Sequence, residues 1–363
     1  MKRAGKLPGV TGPLSRRVAA ASLLALLAGC GYNNPYYDPA KPHHTPKGFR
    51  NNYVEGGMGG GFLKWQWERR TQGLPPAPEN GYRFPMVKPD LEALARQQTG
   101  LSATWIGHAT VLLKLGGLTI LTDPMFSERA FAVQFAGPRR KVPPALQVHE
   151  LPRIDVVLIS HNHYDHLDRH SILALNRQAG GPPLFLVPLG LKPWLEEQGV
   201  SHARELDWWD KTELAGVQLH LVPVQHWSAR SLNDRMRTLW GGWMLKAGGQ
   251  QAGQVFFAGD TGYSKDFRDI HQRFGPVDLA LIPVGAYEPR WFMRRQHVDP
   301  PEAVQIHRDL QARQSIGIHW GSFELTDEAL DEPPRALARA LQQAGEPAGN
   351  FIVLRHGETW KAP

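Results

Sequence analysis

The stretch His161-Asn162-His163-Tyr164-Asp165-His166-Leu167-Asp168 constrains this 363-residue chain more than any other. It follows directly on residues 154–160, an apolar and β-branched run that reads as a buried strand. Three imidazoles and two carboxylates do not enter a core by accident, because each must be paired or coordinated once buried. A strand that ends in them carries potential metal ligands to the edge of a sheet. Nitrogen and oxygen donors of this kind suit zinc, and also iron or manganese. A solvated His-rich loop that binds metal only loosely is the competing reading, and it weakens as further ligands are found downstream.

Apolar runs recur after residue 101 and end in the same residue types. The run 102–106 leads to Gly107-His108, 118–122 to Asp123-Pro124, 219–224 to His226, 255–259 to Asp260 and 315–318 to His319. Strand ends that all carry ligands imply convergence on one rim. Helical spacing predicts helices over 171–178, 264–274 and 333–344. Asp299-Pro300-Pro301-Glu302 reads as the start of a helix reaching residue 310, with Asp as N-cap, Pro in the first turn and Glu at the capping-box position. Strands apolar on both faces, alternating with helices, predict an α/β fold of sheets covered by helices, and the two halves could each be one such sheet.

Spacing inside the motif points to two metals. His161 and His163 sit two apart and share a side, whereas the neighbours Asp165 and His166 must point in different directions. Each pair needs completing, and His226, Asp260 and His319 are the supply. A carboxylate bridges two ions and a neutral imidazole does not, so Asp260 is the expected bridge. The set becomes His161, His163 and His226 on one ion and Asp165, His166 and His319 on the other, each keeping an open position as catalytic sites do. With seven ligands assigned, His108 is left uncommitted, as a strand-end His that hydrogen-bonds in the core. His307 and His356 are read as structural, and His43-His44 as a solvated pair.

The first thirty residues are a different object. Lys2, Arg3, Lys6, Arg16 and Arg17 precede an apolar segment, 18–28, that is too short to span a bilayer. These five bases, with no acid among residues 1–29, account for most of the formal charge of +7; the rest of the chain has 36 bases against 34 acids. That balance calls for no nucleic-acid partner. Leu27-Ala28-Gly29-Cys30 resembles a bacterial lipobox. The resemblance implies cleavage before Cys30, the only cysteine in the chain, and lipidation on it; no internal disulfide or thiolate ligand is then available. Gly31, where inner-membrane retention uses Asp, implies the periplasmic face of the outer membrane. The expected layout is a signal peptide over 1–29, a tether and loosely structured wrap over 30–100, and a hydrolase domain over 101–363. Within the wrap, the aromatic stretch 62–67 is expected to pack on the main domain or on a bilayer.

The ligand motif, a spaced His226, Asp260 within Phe257-Ala258-Gly259-Asp260-Thr261-Gly262, and a last His319 resemble the metallo-β-lactamase superfamily. That implies an αββα sandwich with a dinuclear site at the edge between the sheets. The chain also resembles the N-acyl-phosphatidylethanolamine-hydrolysing phospholipase D family from about Trp105 to Gly357. The segments that carry this include Trp105-Ile106-Gly107-His108, Leu121-Thr122-Asp123-Pro124, Gln225-His226-Trp227, Gly285-Ala286-Tyr287-Glu288-Pro289-Arg290, Gln296-His297-Val298-Asp299 and Ile318-His319-Trp320-Gly321. Similarity before Ser102 is faint.

The family resemblance implies two zinc ions, a phospholipid substrate presented at a membrane surface, and hydroxide attack on phosphorus that releases an N-acylethanolamine and phosphatidate. It tips Asp123 towards a carboxylate that orients a ligand His, although a turn or N-cap Asp fits the spacing equally well. It places Gln296 and His297 near the lipid phosphate. Tyr164, inside the motif, either contacts substrate or packs. The run 290–295, aromatics among arginines, suits either an anionic headgroup surface or a buried aromatic turn. A homodimer stays open. Another dizinc hydrolysis, of a lactone, a nucleotide or a different phosphodiester, and a catalytically silent scaffold are the alternatives, the second disfavoured by a complete ligand set.

Overall fold

The computed structural model describes residues 32–53, 61–96, 100–249 and 252–363; Cys30 and the expected signal peptide lie outside them. The described chain opens with a two-stranded hairpin, β1 (His44–Thr45) and β2 (Gly48–Phe49), then helices α1 (Gly61–Gln72) and α2 (Leu91–Ala95). The first half of the sandwich comprises β3 (Ser102–Gly107), β4 (Thr110–Leu115), β5 (Leu118–Thr122), β6 (Val156–Leu158), α3 (Arg169–Asn176), β7 (Leu184–Pro188), α4 (Lys192–Glu197) and β8 (Ala203–Leu206). The second half comprises β9 (Lys211–Leu214), β10 (Val217–Val222), β11 (Gly242–Ala247), β12 (Gly253–Phe257), α5 (Asp266–Phe274), β13 (Leu279–Pro283), α6 (Arg290–Met293), α7 (Pro300–Asp309), β14 (Gln314–Ile318), α8 (Glu332–Ala344) and β15 (Phe351–Ile352). A last strand, β16 (Thr359–Lys361), returns to the first sheet beside β3.

Two seven-stranded sheets result, ordered β16-β3-β4-β5-β6-β7-β8 and β15-β14-β13-β12-β11-β10-β9. Each joins an antiparallel arm to a parallel one, the change falling at β5 in the first sheet and β12 in the second. The apolar-on-both-faces pattern has a direct cause. On β4, Val111, Leu113 and Leu115 face the core shared with the other sheet, while Leu112 joins the separate cluster formed with Ile172, Leu175 and Leu195 of α3 and α4. The outer face of the second sheet is covered by α5, α7 and α8, through residues such as Phe267, Val304 and Leu337. This is an α/β sandwich with helices on its outer faces.

The predicted helices form, with small shifts of their ends. Asp299 caps α7 by accepting from the Glu302 amide at 2.9 Å. Glu302 departs from the expected capping box: its carboxylate takes Arg290 at 2.6 Å and Arg294 at 3.0 Å. The larger correction is at the front. His43 and His44 are buried, not solvated, because both reach the buried Asp207 carboxylate, at 2.7 and 3.0 Å. Lys41 pairs with the same carboxylate, and residues 32–53 lie as a strap against the second half of the fold. In α1, Trp65 packs on Phe292, ring centroids 4.9 Å apart, and donates to Asp327 at 2.8 Å. Leu63 and Trp67 of the same helix stay exposed.

Candidate metal centre

The predicted ligands stand just past strand ends on one rim: the motif after β6, His226 after β10, Asp260 after β12 and His319 after β14. The two sheets are bonded to each other there. Gly241 donates to the Ser160 carbonyl at 2.9 Å, Trp243 Nε1 to the Ile159 carbonyl at 3.0 Å, and the His319 amide to the His108 carbonyl at 3.0 Å. Gly259, at φ +62°, permits the closest approach, since a Cβ there would meet Ser160 Cβ at 2.4 Å. His108, Asp123 and His319 hold positive φ themselves, at 54°, 29° and 61°. Such backbone strain is held in place by the surrounding structure and concentrates at functional sites.

The side chains gather as two triads. His161 Nε2 lies 2.8 Å and His226 Nε2 3.3 Å from His163 Nδ1. His166 Nε2 and His319 Nε2 are 3.2 Å apart, and Asp165 Oδ2 is 3.3 Å from each. Asp260 sits between the triads. Its Oδ2 is 3.1 Å from His166 Nε2, 3.9 Å from His226 Nε2 and 4.0 Å from His161 Nε2, while Oδ1 is 3.2 Å from His319 Nε2.

Outer hydrogen bonds fit these groups to metal ions by fixing which ring nitrogens are bare. His226 Nδ1 donates to the Gln296 carbonyl at 2.9 Å, so its Nε2 presents a lone pair. Ser160 Oγ donates to Asp123 at 2.5 Å and accepts from His161 Nδ1 at 2.8 Å, which bares His161 Nε2. His166 Nδ1 donates to Asp123 Oδ2 at 2.6 Å, leaving Nε2 aimed inward. The bare Nε2 atoms of His161 and His226 converge on His163 Nδ1, an arrangement that a shared cation satisfies. His163 Nε2 and His319 Nδ1 are buried with no hydrogen-bond partner.

Electrostatics divide the triads. Burial pushes His163 and His226 down to about 3 and His161 well below its ordinary value, so these rings are neutral and ready to coordinate. Burial also opposes charge on His166 and His319, but neighbouring carboxylates, Asp260 foremost, outweigh it. They hold His166 well above the usual range and carry His319 up to about 9. Burial would likewise raise Asp165 and Asp260; the charge of His166 and hydrogen bonds to the imidazoles keep both well below the usual carboxylate range.

A cavity of ≈ 280 Å³ opens onto this cluster. Its floor carries His163, Asp165, Asp260 and His297, and its wall Phe62, Trp65, Phe292 and Met293. His297 Nδ1, buried and without a hydrogen-bond partner, lies 3.9 Å from Asp260 Oδ2. Gln296 lines the same cavity, and its carbonyl is the group that holds His226. Tyr164 also borders it, but its hydroxyl is committed to the Arg230 carbonyl at 2.7 Å and its ring to the Arg230 guanidinium at 4.1 Å. A larger cavity, ≈ 650 Å³, lies on the other side of Tyr164 and is lined by none of the seven expected ligands. Within the run 290–295, Phe292 and Met293 are buried and Trp291 is half exposed.

His108 is buried and hydrogen-bonded as expected, its Nε2 3.0 Å from Asp165 Oδ2, which also brings it close enough to join the second cluster. Asn51 brackets the backbone of His226, and nothing local to Asn51 announces it.

Residues 119–320 match the family described as Beta-lactamase superfamily domain. Over 278 residues, 73% of this chain and 77% of the relative, the chain is 39% identical to N-acyl-phosphatidylethanolamine-hydrolyzing phospholipase D 1 of Caenorhabditis elegans. It is 38% identical over 249 residues to the mitochondrial N-acyl-phosphatidylethanolamine-hydrolyzing phospholipase D of Saccharomyces cerevisiae, covering 67% of this chain and 52% of that one. The fold is shared with a possible metal-dependent hydrolase from Veillonella parvula, at a TM-score of 0.58 and 17% identity, covering 73% of this chain and all of that one. Homology at this level, joined to clusters that can hold two divalent ions, makes the chain a zinc-dependent hydrolase. It belongs to the metallo-β-lactamase superfamily and, within it, to the family of N-acyl-phosphatidylethanolamine-hydrolysing phospholipases D.

Proposed function

We propose that the protein is a phospholipase D-type phosphodiesterase that cleaves N-acyl-phosphatidylethanolamine, or a closely related phospholipid, into an N-acylethanolamine and phosphatidate. One observation carries this reading: the Asp260 carboxylate lies within 4.0 Å of nitrogens from both triads, at the floor of a cavity with an apolar wall. The named activity of the Caenorhabditis relative supports the substrate class. In this reading His161, His163 and His226 would hold one zinc and Asp165, His166 and His319 the other, with Asp260 available to both. Such a pair, when bound, lowers the pKa of water and neutralises phosphoryl oxygens.

The chain's own residues supply the rest. Asp123 holds His166 and, through Ser160, His161 in the coordinating tautomer. His297, neutral because burial pushes it down to about 3, offers a ring N–H to a phosphoryl oxygen without repelling the cations beside it. Gln296 shapes the same wall and supports His226. Phe62, Trp65 and Phe292 take acyl chain and keep bulk water from the phosphorus. Tyr164 contributes the face of its ring, its hydroxyl being used elsewhere.

We place the protein on the periplasmic face of the outer membrane, tethered through a lipid on Cys30. The lipobox resemblance supports this, as do the exposed Leu63, Trp67 and Trp291, chain neighbours of the cavity-lining Phe62, Trp65 and Phe292. The test of the activity is direct. Zinc-loaded full-length protein is given vesicles that contain N-acyl-phosphatidylethanolamine, and the products are read by mass spectrometry. N-acylethanolamine and phosphatidate in equal amounts are expected. Release of fatty acid, or turnover of soluble esters and lactones alone, would assign the site to a different dizinc hydrolysis.

A further inference from the structure

Residues 32–53 lie outside the stretch that matches the superfamily, yet they touch the metal centre at one point. Asn51 Oδ1 accepts the His226 amide at 3.0 Å, and Asn51 Nδ2 donates to the His226 carbonyl at 2.9 Å. One carboxamide thus satisfies both backbone groups of one expected ligand, as a neighbouring strand would. The position needs it, because β10 ends at Val222 and His226 stands beyond its ladder. The imidazole is fixed separately, by Nδ1 on the Gln296 carbonyl.

We propose that Asn51 is a positioning residue of the metal centre, through which the N-terminal strap sets the approach of His226 to its ion. This rests on the reading of His226 as a ligand.

The strap is built to hold that carboxamide in place. At one end it is latched on Asp207 by Lys41, His43 and His44. These groups are close enough to hold an ion themselves, but His44 Nδ1 accepts the Asp38 amide at 3.2 Å. The ring proton therefore sits on Nε2 and is donated to Asp207, which leaves no lone pair for a metal. In the middle, Gly48 at φ +141° presses on Met236, where a Cβ would come 2.0 Å from the carbonyl oxygen. At the other end Asn52 donates to Asp266 at 2.8 Å and Tyr53 pairs with Asp269. Docking of the strap is thus held on both sides of Asn51 without it. Removing its carboxamide acts on His226, not on attachment of the strap.

The experiment is zinc affinity and stoichiometry of the full-length protein, measured by competition with a chromophoric chelator. The variants are Asn51→Ala, Asn51→Asp, Asn52→Ala and His226→Ala. Loss of an outer partner of a metal ligand commonly costs about 10–100-fold in affinity. Asn51→Ala is expected to lose that much at one of the two zinc equivalents and to keep the other. Asn51→Asp, isosteric and still able to accept the His226 amide but setting a carboxylate oxygen against the His226 carbonyl, should lose at least as much as Asn51→Ala. Asn52→Ala should stay within about twofold of the parent. Should Asn51→Ala not fold, Asn51→Asp decides. If His226→Ala retains both equivalents, the ligand reading fails. If His226→Ala loses one while both Asn51 variants bind as the parent does, the positioning role is overturned and the ligand reading stands.

Discussion

Asp123 and Asp260 are buried carboxylates on the same rim with different duties, and substitution by Asn separates them. Asp260 faces nitrogens of both triads, so Asp260→Asn removes a negative charge from between the two triads proposed to hold zinc. Turnover of the vesicle substrate should fall about 100-fold or more, with less than the full zinc complement retained on dialysis. Asp123 faces His166 Nδ1 and the Ser160 hydroxyl and amide. Its Asn variant can keep the amide contact, but it turns an N–H donor towards His166 and favours the wrong tautomer. About a 10–100-fold loss is expected, and Asp123→Asn with unchanged activity and zinc content would remove its orienting role. The gathering of the expected ligands was legible in the sequence because all of them stand just past strand ends, four after β6 and one each after β10, β12 and β14. So was His108 as a hydrogen-bonded strand-end residue, but not its partner Asp165, 57 residues away. Asn51 was not legible at all, because His226 lies 175 residues away, where no spacing rule reaches.

At the level of elements, helix starts were readable because caps are local, whereas the fate of Glu302 depended on Arg290 and Arg294, brought in by α6 and the turn after it. The strap was the least legible element. A run rich in Tyr, Asn and Pro reads as tether until Asp207, more than 160 residues on, is known to receive it. That latch makes a pH prediction. Burial would raise Asp207, but hydrogen bonds and charge from His43, Lys41 and His44 outweigh it and hold the carboxyl well below its ordinary 3.8. A carboxylate depressed in the folded state contributes stability that is complete above the unfolded value and is lost as pH falls through the folded one. Asp207→Asn should therefore cost about 2 kcal/mol, a gap in urea unfolding that stays flat between pH 7 and 5 and narrows below about 4. A gap that closes already between pH 7 and 5 would show that the Asp207 carboxyl is not held below its ordinary value.

Across the whole molecule, the cavity mouth and the chain's front end share a direction of use. The strap leads into α1, whose Phe62 and Trp65 line the cavity while Leu63 and Trp67 face outward. A lipid on Cys30 would tether the chain to a bilayer. Cells given labelled palmitate should yield a labelled, membrane-bound protein, and Cys30→Ser should abolish the label and move the protein to the soluble fraction. An unlabelled parent protein would rule out the anchor. The convergence of both sheets on one rim has a further consequence. Ions held by His163 with His226, and by His166 with His319, would tie together points 63 and 153 residues apart in the chain. Closing loops of that length restricts the unfolded chain as a disulfide does. A protein with a single cysteine would thereby gain two cross-links whose presence follows metal supply and is indifferent to the redox potential of its compartment.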